Sequence, residues 1–260
     1  MELIDTHCHL DAAEFDGEVE NLLQRAQDVG ITTFIVPGVR EMEWPKLLSL
    51  STELSTVFAA PGLHPLYLAY HRAEHLEKLS EFCDNNPVVA IGEIGLDYFD
   101  SSLDRARQQT LFEEQLGIAQ RAQLPIILHV RKAHDQVLAT LRRKKFAYGG
   151  IVHAFSGSQQ QANQYIHLGF AIGIGGTITY TRANRIRKLA AALPEASLVL
   201  ETDAPDIPGA SHRGEANLPE YLIENLNALA MLRSEEPEYT ASYTTANARR
   251  YLQLSDRADR

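Results

Sequence analysis

The sequence predicts an α/β fold, a TIM-like (β/α)8 barrel, on three observations. Eight short runs rich in Val, Ile and Leu recur at 2–5, 33–37, 56–60, 88–91, 126–129, 150–153, 170–174 and 197–201. Their apolar residues are mostly continuous rather than alternating, as in strands buried on both faces of a parallel sheet. Amphipathic stretches separate them, and the length of 260 residues matches the about 250 that such a barrel needs. Repeated strand-then-helix units favour the barrel over an open doubly wound sheet.

The elements follow in order. The first run, 2–5, leads directly into His7-Cys8-His9. Segment 19–29 carries Leu22, Leu23 and Ala26 on one helical face and stops at Gly30, a residue suited to a helix C-terminus. Segment 108–122 sets Leu111, Gln115, Ile118 and Ala119 at helical spacing, and Pro125 then opens the next strand. Segment 159–168 stops at Gly169, and 218–232 is another long amphipathic stretch. No Pro/Gly/Ser linker or shift in composition divides the chain, so residues 1–260 read as a single domain. Gly173-Ile174-Gly175-Gly176 lacks the GxGxxG spacing, and no GxxxxGK(S/T) occurs, so no nucleotide-phosphate loop is expected.

Composition narrows the function. With 45% hydrophobic and 22% charged residues the chain reads as an ordinary globular protein. No apolar run approaches the roughly 20 residues of a membrane span. A formal net charge of −10 argues against a broad basic surface that coats duplex DNA. The opening MELIDTHCHLD has no basic then apolar leader, and Cys8 and Cys83 show no CxxC spacing. A reducing cytoplasm is the expected location.

The chemistry lies at the strand ends. Strand alternation sends His7 and His9 the same way and Cys8 the other, where it packs as a small side chain. Two imidazoles projecting together can chelate one cation, though an isolated HxH is more often a pair of ordinary polar residues. Glu93, His129, His153 and Asp203 alter that balance, since each stands where an apolar run stops. One such residue could simply cap a helix; five strand ends doing so point to a shared site. Glu93 to His129 is 36 residues and His129 to His153 is 24, one unit each, while His153 to Asp203 is 50, two units. A barrel gathers these ends at one mouth. Six ligands from strands one, four, five, six and eight suffice for two cations.

The chain also resembles a known family. His7-Cys8-His9, Gly62-Leu63-His64-Pro65, the run Gly92-Glu93-Ile94-Gly95-Leu96-Asp97-Tyr98, His129, His153-Ala154-Phe155-Ser156-Gly157 and Glu201-Thr202-Asp203-Ala204-Pro205 are similar to the successive motifs of the TatD-type metal-dependent hydrolases. The likeness runs from position 3 to the segment around Thr245–Arg250, closest to a less characterised bacterial branch with Gly176-Thr177-Ile178-Thr179-Tyr180 after the seventh strand. It implies a barrel of the amidohydrolase type and a hydrolase usually assigned as a deoxyribonuclease. It further implies that His7, His9 and Asp203 bind one metal, His129 and His153 a second, and that Glu93 bridges them. Relatives in the wider superfamily bridge with a carbamylated lysine, which Glu93 makes unnecessary here.

Two divalent ions, Zn²⁺, Mn²⁺ or Mg²⁺, are thus the expected cofactors. Imidazole-rich ligation suits Zn²⁺ or Mn²⁺ better than Mg²⁺, whereas family nucleases are usually taken as Mg²⁺-dependent. Asp203 and Glu93 are the expected catalytic carboxylates, with Asp203 the proton acceptor. Asp135 and His64 are candidates to support the ligands, and His64, Arg131 and Arg213 to contact substrate phosphate. For the two arginines, surface ion pairing is the plainer alternative. The run Arg142-Arg143-Lys144-Lys145 should fall at the far end of the barrel as a solvated face, and Trp44, His71, His75 and His167 receive no role. The leading substrate is DNA, as chain ends or short single strands. The alternatives are a small-molecule amide, ester or lactone on the same metals, or a metal-binding protein without catalysis.

Overall fold

The computed structural model describes residues 1–254. Its strands are β1 Leu3–Asp5, β2 Ile31–Pro37, β3 Val57–Ala60, β4 Ile91–Asp97, β5 Ile126–Arg131, β6 Gly150–Val152, β7 Phe170–Ile174 and β8 Leu198–Leu200. The helices are α1 Val19–Asp28, α2 Trp44–Glu53, α3 Glu74–Asn85, α4 Arg105–Ala122, α5 His134–Lys144, α6 Gln159–His167, α7 Asn184–Ala192, α8 Leu222–Arg233 and α9 Pro237–Tyr251. Pairing is parallel throughout, in a β1–β3 group and a β4–β8 group.

Backbone hydrogen bonds join the two groups at both seams. Val89 N donates to Ala59 O at 3.0 Å, and Gly38 and Gly92 to Glu93 interlock at 2.9 Å on one side. On the other, Thr6 N donates to Leu200 O at 3.0 Å and Asp203 N to His7 O at 2.8 Å. The strands therefore close into the expected (β/α)8 barrel. Inside its lower end sit Ile4, Ile35, Ala60, Ile127, Ile151, Ala171 and Val199, packed against Ala248 and Leu252 in and after α9. A second, larger cluster fills the shell between the strands and the surrounding helices. No described helix is long and apolar enough to cross a membrane.

One strand lies elsewhere than its apolar run. The fourth was expected at 88–91, but β4 spans Ile91–Asp97. Its pattern is masked because the inward side carries Glu93, Gly95 and Asp97 while Ile94 and Leu96 face the outer core. A register shift between Ile91 and Ile94 further breaks the period. The expected basic run falls in the last turn of α5, where Arg143 and Lys144 pair with Glu113.

Candidate metal centre

Six side chains expected at the barrel mouth converge there. His7 and His9 follow β1, and their Nε2 atoms lie 3.2 Å apart. His7 Nε2 is 3.2 Å from Glu93 Oε2 and 3.4 Å from Asp203 Oδ1. His9 Nε2 is 3.7 Å from each of the same two oxygens. Cys8 points away into the outer core and is fully buried.

These separations test whether a cation fits. Four donors about 2.1 Å from a tetrahedral ion stand about 3.4 Å from one another. The five distances just given bracket that figure, so the donor set fits a divalent ion. Without a positive charge among them, two carboxylates and several imidazole lone pairs would be crowded together out of water. His7 Nδ1 is buried and lacks a hydrogen bond among the described residues.

Glu93 faces a second group through its other oxygen. Oε1 lies 2.8 Å from His129 Nδ1 and 3.3 Å from His64 Nε2. His153 Nε2 is 3.5 Å from Asp203 Oδ1, and its ring stacks on His7 at 3.5 Å. The donor atoms thus group as His7, His153 and Asp203; as His7, His9 and Glu93; and as His64, Glu93 and His129. That differs from the division carried over from the family, in which His129 and His153 share one ion. His64 stands beside His129 where His153 was expected.

Carboxylates behind the imidazoles fix their orientation. Asp97 Oδ2 is 3.0 Å from His129 Nε2, and Glu201 Oε1 is 3.2 Å from His153 Nδ1. Asp5 accepts from His7 N at 3.2 Å, Thr202 N at 3.0 Å and the Thr202 hydroxyl at 2.6 Å, so it ties the β1 and β8 loops together. Such outer partners orient a ligand ring and raise its basicity. Asp135, expected in this role, instead accepts from Gln161 on the outer surface at 2.8 Å. Asp97 was legible only with β4 in its true position, since alternation then puts it on the face of Glu93. Glu201 stands two residues before Asp203 on the same alternation.

Backbone geometry makes room for these contacts. A Cβ on Gly95, whose φ is +145°, would overlap the His129 carbonyl oxygen, and one on Gly173 would overlap the Glu201 carboxylate. Asp203 holds φ +63°, a left-handed conformation costing about 1 kcal/mol or more for a non-glycine residue. It is retained where the carboxylate meets the imidazoles.

Protonation follows the same pairings. Burial works to depress the His129 pKa, yet bonds to Asp97 and Glu93 raise it to about 9. Burial is likewise outweighed at His153, which Glu201 and Asp203 hold well above the usual range. Burial would raise Glu93 and Asp203, but the imidazoles around them keep both low. Burial pulls His64 down to about 4. The carboxylates are thus anionic and poised for a cation.

The centre lies at the floor of a cavity of about 500 Å³, whose lining includes Tyr67, Val130, Arg131, Asp206 and Ile207. Arg131 is exposed, its guanidinium 3.6 Å over the Phe99 ring. Arg213 is exposed in the 203–217 loop and does not line this cavity. A neighbouring cavity of about 470 Å³ shares His9, Tyr67 and Asp206 and adds Asp11, Glu14, Asp16 and Glu43.

A parallel barrel carrying such a donor set at its mouth defines the class: a metal-dependent hydrolase on an amidohydrolase-type fold. The family model "TatD related DNase" matches residues 4–253. The chain is 45% identical over 240 residues to YjjV of Escherichia coli K12, an uncharacterized metal-dependent hydrolase, covering 92% of this chain and 93% of the relative. It is 38% identical over 257 residues to an uncharacterized metal-dependent hydrolase of Haemophilus influenzae, covering 95% and 98%. The crystal structure of YjjV, a TatD homolog, matches with a TM-score of 0.94 at 42% identity, over 97% of this chain and 98% of that one. A TatD family hydrolase of Entamoeba histolytica shares the fold, with a TM-score of 0.85 at 20% identity over 96% and 98%. The chain belongs to the TatD family.

Proposed function

We propose that the protein is a two-metal phosphodiesterase acting on DNA, with chain ends and short single strands as substrates. Its site comprises His7, His9, Glu93, His129, His153 and Asp203 as ligands of two divalent ions, Zn²⁺, Mn²⁺ or Mg²⁺. The observation that carries the reading is the six-donor cluster on the floor of an open cavity with Arg131 at its wall. Two cations supply +4, offset by Glu93 and Asp203, which leaves a positive spot about the size of one phosphate.

Bound there, divalent cations withdraw charge from a scissile phosphate and make water acidic near neutral pH. The residues do the rest. Asp203 takes the proton of the attacking water at Oδ2, since Oδ1 faces His7, His9 and His153. Glu93 holds the two imidazole groups together through its two oxygens. Asp97 keeps His129 from turning, and the Glu201 charge beside His153 Nδ1 favours its protonated ring. Arg131 grips non-bridging oxygens with paired bonds, and His64 contacts the substrate from the wall. The single domain and the reducing cytoplasm, the latter from two unpaired cysteines, complete the proposal.

The acidic neighbouring cavity favours a second reading, hydrolysis of a small amide, ester or lactone, because a long polyanion is repelled there. End-labelled single- and double-stranded oligonucleotides, compared across a salt series with Mn²⁺, separate the two. Expected is preference for short single strands with a shallow salt slope, since log K falls only about 0.7 to 0.9 per neutralised phosphate. Preference for long duplex with a steep slope contradicts it. Turnover of a lactone or amide panel with no nucleic-acid cleavage establishes the second reading.

A further inference from the structure

His64 and His129 meet the same Glu93 oxygen, at 3.3 and 2.8 Å, with ring centroids 4.3 Å apart. By distance alone both could be ligands of one ion. Their outer nitrogens tell them apart. At His129, Nε2 faces the Asp97 carboxylate at 3.0 Å. A carboxylate at neutral pH only accepts, so Asp97 holds a proton on Nε2, and Nδ1, facing Glu93 at 2.8 Å, is the nitrogen whose proton a cation would displace.

His64 is wired the opposite way. Its Nδ1 takes the backbone N–H of Leu66 at 3.1 Å. A backbone amide nitrogen only donates, so Nδ1 supplies the lone pair and the ring proton sits on Nε2. The turn that imposes this begins at Pro65, directly after His64. The His64 carbonyl is pinned in turn by His71 Nε2 at 2.8 Å. Reversing the tautomer would set Nδ1–H against the Leu66 N–H, two donors face to face in a buried place.

We infer that His64 is not a metal ligand but a fixed N–H donor aimed into the cavity, where it binds an oxygen of the substrate group under attack. This rests on the hydrolase reading above. In the free protein the N–H donates to Glu93 Oε1; in the complex the phosphoryl oxygen, or the carbonyl oxygen under the second reading, accepts it. A preset donor at the site of developing negative charge stabilises the transition state more than the ground state.

The test has two arms. In the first, zinc is titrated into full-length wild type, His64→Ala, His64→Gln and His129→Ala, and the imidazole nitrogens are followed by long-range ¹H–¹⁵N correlation. Expected is unchanged zinc stoichiometry and affinity within about twofold for both His64 variants, with loss at His129→Ala. His64 Nε2 should remain the protonated nitrogen after zinc is added. A lost zinc equivalent in His64→Ala, or His64 Nε2 turning into the unprotonated nitrogen, overturns the inference. In the second arm, kcat on bis(p-nitrophenyl) phosphate should fall by about 10² to 10³ in His64→Ala, the usual cost of losing one such donor. His64→Gln, whose amide still donates, should recover part of it. Full activity in His64→Ala also overturns the inference. If wild type turns over no phosphodiester, the DNA reading fails while the zinc arm still decides whether His64 is a ligand.

Discussion

At the lower end of the barrel, Ile127, Ile151 and Val199 point inward against Ala248 and Leu252. Two residues further along the same strands and the same face come His129, His153 and Glu201, with Asp203 beyond. In the second layer His153, Glu201 and Asp203 are buried almost as deeply as the first layer and His129 is partly buried, yet these groups are ionisable. Burial below contributes stability, because apolar side chains leave water. Burial above opposes it, because charged groups lose hydration that only their partners and a cation restore. The upper layer is therefore retained for chemistry, and the lower layer holds it in place.

That contrast is broken most forcefully at Asp203. Asp203→Asn preserves shape but removes the proposed proton acceptor, so kcat on a phosphodiester should fall by about 10² or more. The unfolding midpoint of metal-free protein should hold steady or rise. Equal activity in the variant would remove Asp203 from the mechanism.

The lower layer should answer in the reverse sense. Ile127→Ala leaves a cavity in a fully buried position and should cost about 2–5 kcal/mol in denaturant unfolding. The protein that remains folded should keep its kcat. A proportional loss of activity would show that the two layers are not separable.

Much of this division was legible in the sequence. Seven of the eight strands lie largely on their apolar runs, and β4 shares only Ile91 with its own, because both faces of a barrel strand are buried and read as continuous Val, Ile and Leu. Glu93 and His129 were found although they sit inside β4 and β5 rather than past their ends. What was not legible depended on β4. Placing it at 88–91 hid the alternation of Glu93 and Asp97, so the partner of His129 went unseen. Asp135 was expected to support the ligands, but a helix starting at His134 carries it to the outer surface. The two tautomers also needed coordinates, because they are set by a backbone amide and a carboxylate that no spacing reveals. Plugging of the lower end by α9 was not read from the sequence, which showed Thr245–Arg250 only as the close of the family likeness.

A smaller effect tests whether burial of an ionisable group outside the mouth behaves as it does within. His134, the first residue of α5, is buried against Tyr165, and burial pulls its pKa down to about 4 from 6.5. The native state refuses a proton that the unfolded chain accepts, so this residue leaves stability intact above pH 6.5 and lowers it as pH falls toward 4. At pH 5 the loss should be about 2 kcal/mol. Comparing wild type with His134→Asn by urea unfolding at pH 7 and pH 5 isolates that share. An identical acid dependence in both would contradict it. The smallest effect belongs to Cys8→Ser, which faces the outer core: about 1 kcal/mol of stability and almost unchanged turnover.

The central claim is that Glu93 unites two cation sites at the barrel mouth, and calorimetric titration of Mn²⁺ or Zn²⁺ into metal-stripped protein tests it directly. Wild type should bind two equivalents per chain, and Glu93→Gln, which keeps the shape but loses the shared charge, should weaken both. Binding of a single equivalent by wild type, or two equivalents of undiminished affinity in Glu93→Gln, would contradict the account.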